Sequence, residues 1–165
     1  MGTLTCAHFT SRMLSDYMSE IPKEEILDVL KLNMIGHLAL SVNNMPYVVP
    51  LCYSYMNGKL YFNLNTPGKK IEALKANPKI CFVVDEWEED GSWRSVIIYG
   101  NAKLFNDPEL SWKILENFVG TLSFEAFIGV NEEDISEDIL SQMGFLVCEV
   151  EIEEITGRSS KTLLE

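Results

Sequence analysis

Asn57 and Gly58 stand between two stretches of alternating residues, and this feature restricts the fold more than any other. Residues 46–56 precede the pair and residues 59–65 follow it, and both stretches are rich in β-branched and aromatic residues. An Asn-Gly pair between alternating runs is the strongest short-range signal for a β-hairpin. Because such a tight turn joins antiparallel strands, this part of the chain is predicted to form an antiparallel sheet.

Four other stretches have the composition and alternation of strands. They are residues 36–42, 79–87, 92–105 and 145–155. Helical spacing and capping signals predict helices at residues 26–32, 71–76, 107–118 and 131–143. The regular alternation of strand and helix that a parallel sheet requires is missing, so six strands joined mainly by hairpins favour an antiparallel barrel with flanking helices.

The composition predicts one domain. The chain has 165 residues, of which 47% are hydrophobic, enough for one substantial core. We expect the domain to span residues 21–158, between tails at 1–20 and 159–165. The net charge of −12 argues against nucleic-acid and anionic membrane partners. No apolar run approaches the ~18 residues of a spanning helix, and the first twenty residues lack the apolar stretch of a secretory signal, so a cytoplasmic location is expected.

The cysteines and histidines do not form a recognisable metal or catalytic motif. Cys6, Cys52, Cys81 and Cys148 are widely separated, with neither a C-x-x-C pair nor a histidine at ligand spacing. We expect reduced thiols, mostly buried, and no metal site. His8 and His37 are the only histidines, which makes a histidine-dependent hydrolase a poor interpretation.

Lys69 and Lys70 form the clearest candidate binding site. They follow Thr66-Pro67-Gly68 and open a predicted helix. Residues 59–79 contain five lysines and one acid, Glu72, in a chain that is acidic elsewhere. Adjacent cations at a helix start, beside a glycine, suit a phosphate group. The alternative is a solvated helix face, and the pair alone does not decide between the two interpretations.

The order of several short motifs supports the phosphate interpretation. YVVPL, NGKLYF, GKKI and ALKANPKICFVVD are followed by Trp93, Ser95, Val96, Gly100 and Ala102 in the pattern W-x-S-V-x-x-x-G-x-A. This order resembles the FMN-binding split-barrel proteins related to pyridoxamine 5'-phosphate oxidase, in particular the branch that includes the nitroimidazole-resistance proteins. The resemblance covers roughly residues 25–103, with a weaker echo in EIEEITGR at residues 151–158.

This resemblance implies a mainly β fold, a six-stranded antiparallel split β-barrel, that binds FMN between the subunits of a homodimer. Val48, Val49, Pro50 and Leu51 would then lie along the isoalloxazine edge, and Phe62 and Asn63 would meet the ring and the ribityl chain. Lys69 and Lys70 match the basic pair that holds the flavin phosphate. Trp93, Arg94 and Ser95 fall where the partner subunit reaches the cofactor.

Two departures from the family pattern restrict the functional assignment. Many nitroimidazole-resistance proteins carry histidine where this chain has Asn63, and the loop at residues 64–68 is bulkier than is common in relatives. Residues that would bind a substrate phosphate, as in true pyridoxamine-phosphate oxidases, are not evident. No catalytic residue is therefore assigned.

Three functions remain open from the sequence. The first is an FMN-dependent oxidoreductase that reduces a small-molecule acceptor, as a nitroreductase does. The second is a protein that binds or stores FMN without a dedicated substrate. The third is a split barrel that binds haem or another ligand, which two poorly placed histidines disfavour.

Overall fold

The computed structural model describes residues 18–65, 67–118 and 145–160. Three helices lie in this part of the chain: α1 (Lys23–Leu32), α2 (Lys69–Ala76) and α3 (Pro108–Glu116). The strands are β1 (Met18–Glu20), β2 (Ile35–Val42), β3 (Met45–Cys52), β4 (Ser54–Met56), β5 (Lys59–Leu64), β6 (Lys79–Trp87), β7 (Trp93–Phe105) and β8 (Leu146–Ser160). The helix predicted at residues 131–143 lies outside the described residues, as do Cys6 and His8.

The strands form one antiparallel sheet in the order β3-β2-β6-β7-β8-β5-β4, with β1 paired to β8. The two ends of this path, β3 and β4, are separated in the chain by Tyr53 alone. The sheet therefore curls back on itself as an incompletely closed barrel with flanking helices. This confirms the predicted fold class.

The segment predicted as one strand, residues 46–56, is broken at Tyr53. The Tyr53 backbone N–H donates to the carbonyl of Met34 at 2.9 Å, and its hydroxyl donates to the carbonyl of Leu30 at 3.0 Å. These bonds bend the chain, so that its first part pairs with β2 and its second with β5. Counted as one bent strand, β3 and β4 give the six strands expected, with β1 in addition. The last strand continues to Ser160, beyond the predicted end at Ile155.

Aromatic side chains fill the centre of the barrel. Phe82 meets Tyr53 and Phe62 edge-on, with 5.1 Å between ring centroids in each pair. A second, smaller cluster lies outside the sheet, where α3 packs Ile114 and Leu115 against β5 and β8. No helix in the described ranges is long and apolar enough to cross a membrane.

Candidate functional site

The strand β3 is an edge of the sheet, and its residues alternate between the two faces. Val48 is 57% exposed and Pro50 is also exposed, whereas Val49 and Leu51 pack partly against the core. Among the described strands β3 pairs only with β2. Its outward side chains and free edge can therefore meet a ligand or another chain.

The two lysines of the candidate phosphate site lie beside this strand. Lys69 is exposed at the first position of α2, and its Nζ sits 4.5 Å from the ring centroid of Tyr47 on β3. The residue before the helix, Gly68, has no side chain to accept a hydrogen bond from the first N–H groups. Neither Lys69 nor Lys70 forms an ion pair with a described residue. By contrast, three other lysines are paired with carboxylates: Lys59, Lys103 and Lys113.

Phe62 and Asn63 point to opposite sides of β5. Phe62 has no exposed surface and lies inside the barrel, so its side chain cannot meet a ligand as the sequence led us to expect; it can only hold the strand in place. Asn63 faces α3 and donates through Nδ2 to the carbonyl of Ser111 at 2.9 Å. Asn63 Oδ1 and Ser111 Oγ are buried and have no partner among the described residues.

The strand β7 begins with Trp93, Arg94 and Ser95, whose side chains point alternately to the two sides of the sheet. Arg94 forms an ion pair with Glu86, whose other oxygen accepts from Asn33 Nδ2 at 2.8 Å. The guanidinium charge is therefore already neutralised within the chain. Trp93 and Ser95 point away from the core, to the outward side of the sheet. They lie four and two positions before Ile97, which is exposed on that side, and every second residue of a strand faces the same way.

Within one chain, the lysines and the Trp93–Ser95 segment lie at opposite ends of the sheet. Pro50, His37, Val83 and Ile97 form one cross-strand row. Tyr47 lies three residues to one side of this row, and Ser95 lies two residues to the other side, because β7 runs antiparallel to β3. At 3.3 Å per residue and 4.8 Å per strand, the two groups are separated by roughly 16 Å along the strands and roughly 14 Å across them. One chain does not bring them together.

The outward face between these two groups is apolar. Alternating strands normally place polar residues on a solvent-facing side. Here Val48, Ile97 and Tyr99 are 57%, 36% and 47% exposed. With their outward neighbours they form a mainly apolar surface, which exposed His37 interrupts between Pro50 and Val83. This apolar outer face is formed by Ala39, Val48, Pro50, Cys81, Val83, Ile97 and Tyr99. Sequence reasoning did not identify this face, although the signal was present: apolar residues occupy both alternating sets of β6 and β7.

The thiols and His37 do not form a reactive group. Cys52, Cys81 and Cys148 are free, which agrees with the expected reduced thiols, although only Cys148 is fully buried. Burial raises the pKa of Cys52 and raises the pKa of Cys148 to about 12, which disfavours their thiolates. His37 Nδ1 lies 3.8 Å from Asp85 Oδ1 on the outer face. In the described part of the chain, no group of His, Cys, Asp and Glu could hold a metal ion.

Comparisons with known proteins agree with this fold. The crystal structure of a FAD-binding protein from Mesorhizobium loti is 27% identical, covers 87% of this chain and 99% of its own, and gives a TM-score of 0.69. A candidate 5-nitroimidazole antibiotic resistance protein from Bacteroides thetaiotaomicron is 19% identical, with coverages of 87% and 89% and a TM-score of 0.67. A FAD- and heme-binding protein from Mycobacterium smegmatis is 14% identical, with coverages of 88% and 74% and a TM-score of 0.67. A family model described as pyridoxamine 5'-phosphate oxidase matches residues 22–159.

Proposed function

Because the chain belongs to the pyridoxamine 5'-phosphate oxidase family, we propose that two copies of it bind FMN between them and use it to reduce a small-molecule acceptor. The family assignment confirms the resemblance seen in the sequence. The cofactor, its place between subunits and the reaction are the proposal.

The proposal rests on the distance, within one chain, between the lysine pair and the Trp93–Ser95 segment. Lys69 and Lys70 stand beside β3, where Lys69 lies over the core-side residue Tyr47, whereas Trp93 and Ser95 stand on the outward face at the other end of the sheet. If two copies pack by this face around a two-fold axis, each copy can bring its Trp93–Ser95 segment to the lysines of the other. The apolar outer face supplies the surface that such a contact would bury.

The residues fit the two chemically different parts of the cofactor. Lys69 and Lys70 are cations without a carboxylate partner among the described residues, and they stand at a helix start, where the backbone dipole also favours an anion. Exposed Val48 and Pro50 offer apolar contact for a flat ring. When bound, a flavin supplies the electron-transfer chemistry, while these residues hold and orient it.

FMN is proposed rather than FAD because the chain offers one compact basic cluster. A single cluster suits one phosphate, and the sequence has no G-x-G-x-x-G fingerprint for a dinucleotide. The Mesorhizobium loti relative is described as FAD-binding, so the two flavins must be compared directly. The expected result is tighter binding of FMN; equal or tighter binding of FAD would contradict this part of the proposal.

Two measurements on purified protein test the proposed function. The visible absorption spectrum, recorded before and after addition of FMN, distinguishes a flavin from a haem, and we expect the flavin spectrum. Anaerobic addition of NADH or NADPH, followed by an acceptor, then distinguishes an oxidoreductase from a storage protein. Reduction with acceptor-dependent reoxidation supports the first, and a flavin that neither nucleotide reduces would contradict the proposed oxidoreductase.

A further inference from the structure

Two tryptophans, exposed Trp87 and half-buried Trp93, form a pair at the end of the β6–β7 hairpin. The ring centroids of Trp87 and Trp93 are 6.1 Å apart and the rings are tilted by 40°. Trp87 is 67% exposed, more than any other aromatic residue in the described ranges. Its indole N–H donates to Asp85 Oδ2 at 3.1 Å, which fixes the ring without covering its faces. Neither tryptophan is in a hydrophobic core cluster.

The surroundings of the pair are strongly acidic. Residues 85–95 contain five carboxylates and one cation, Arg94, which is neutralised by Glu86. Hydrogen bonds from the Ser92 side chain and backbone lower the pKa of Asp90, which therefore stays ionised at neutral pH. Glu88 forms no ion pair with a described residue. The potential at this hairpin therefore attracts cations and repels anions.

A cavity of about 190 Å³ adjoins the pair at Trp93. Its wall is formed by Glu86, Glu88, Ser92, Trp93, Arg94, Ser159 and Ser160. The Ser160 hydroxyl accepts from the backbone N–H of Trp93 at 2.9 Å, which fixes this wall to the end of β8. The hairpin thus combines flat aromatic surfaces, a small recess and excess negative charge.

We propose that the Trp87–Trp93 pair binds a planar aromatic cation, such as a quaternary pyridinium or quinolinium compound. The ring of the ligand lies against the indole faces, whose negative quadrupole attracts a cation, and the nearby carboxylates supply the remaining charge complementarity. The pair lies on the same outward face as Ser95 and just beyond it. If the proposed flavin site is correct, the ligand is bound beside the flavin and is the acceptor class that the reaction would use.

Equilibrium dialysis of the full chain without flavin tests this binding. The probe is 1-methylquinolinium, with neutral 2-methylquinoline and anionic quinoline-2-carboxylate as matched controls at pH 8. Saturable binding of the cation is expected, with weaker binding of the neutral compound and none of the anion. Equal affinity for the cation and the neutral compound would overturn the proposal, and so would the absence of saturable binding.

Two variants locate the site. Trp87→Leu should weaken binding of 1-methylquinolinium by at least about two- to fivefold, because this is the loss expected when one exposed cation–π contact is removed. The control, Trp112→Leu, removes a tryptophan that lies on α3 and should leave binding unchanged. Unchanged binding of 1-methylquinolinium in Trp87→Leu would overturn the proposal. None of these results depends on FMN, so failure here would leave the proposed cofactor site standing.

Discussion

At the scale of single residues, the contact between Tyr47 and Lys69 joins two parts of the candidate site. The ammonium group lies over the phenol ring at 4.5 Å, which fixes the direction of an otherwise flexible side chain. The sequence predicts the lysine pair from its local excess of positive charge. It does not predict the contact between Lys69 and Tyr47, because the two residues meet only after the sheet has curled and α2 has packed on β2.

Replacing Tyr47 tests this positioning role. Tyr47→Leu should weaken FMN binding by about two- to fivefold, since an exposed cation–π contact contributes about 0.5–1 kcal/mol. Tyr47→Phe keeps the ring and should bind FMN as the unaltered protein does. Titration of each variant with FMN measures the effect. If the leucine and phenylalanine variants lose affinity equally, the ring does not act through Lys69.

At the scale of secondary-structure elements, Gly100 shows that part of the family motif is structural. The register between β7 and β8 shifts between Tyr99 and Gly100. A Cβ atom at Gly100 would lie 2.4 Å from the carbonyl oxygen of Glu151 and 2.8 Å from Val150 Cγ1. Only glycine permits this approach of two strands. The motif therefore predicted the right fold, although this residue supports the barrel and does not touch the candidate site.

Gly100→Ala should destabilise the protein by about 1–3 kcal/mol, the cost of forcing an additional atom into a packed interior. The matched control is Gly68→Ala, where the nearest atom to a new Cβ would be 3.4 Å away. Denaturant unfolding of both variants gives the comparison. Similar free energies of unfolding for the two variants would contradict this prediction, because they would show that β7 and β8 can move apart at Gly100 at little cost.

The break at Tyr53 shows why strand boundaries were harder to predict than strand identities. Residues 46–56 alternate without interruption, so local pattern predicts a single strand. The bend arises from hydrogen bonds to Met34 and Leu30, which precede it by 19 and 23 positions. Such bonds depend on how α1 packs against the barrel, and no local signal reports them.

At the scale of the whole molecule, the apolar outer face is the main feature that the sequence analysis did not identify. Two of its most exposed members, Val48 and Tyr99, belong to a single cross-strand row and would be costly to leave in water together. The resemblance implied a dimer in which the Trp93–Ser95 segment reaches the partner's cofactor, but it did not indicate the apolar residues that lie between this segment and β3. Identifying these residues requires the pairing register of the strands, because the sequence alone does not show which alternate residues of four strands lie on the same side of the sheet.

Charges on this face should prevent assembly. Val48→Glu combined with Ile97→Glu should change the sedimenting species from a dimer to a monomer of 18.7 kDa and should abolish tight FMN binding. The control is Leu32→Glu, because Leu32 is 73% exposed but lies on α1. A monomeric unaltered protein that still binds FMN at low concentration would contradict the shared site.

The most direct test of the central claim is titration with FMN after removal of the lysine pair. Hydrogen bonds to a charged group contribute about 1.5–3 kcal/mol each, so Lys69→Ala with Lys70→Ala should weaken binding at least about a hundredfold. The free energy of unfolding without cofactor should change by no more than about 0.5 kcal/mol, since these are surface residues. Lys75→Ala with Lys79→Ala removes the same charge from exposed positions in the same region and should bind FMN nearly normally. Near-normal affinity in the folded Lys69/Lys70 variant would contradict the account and place the phosphate elsewhere.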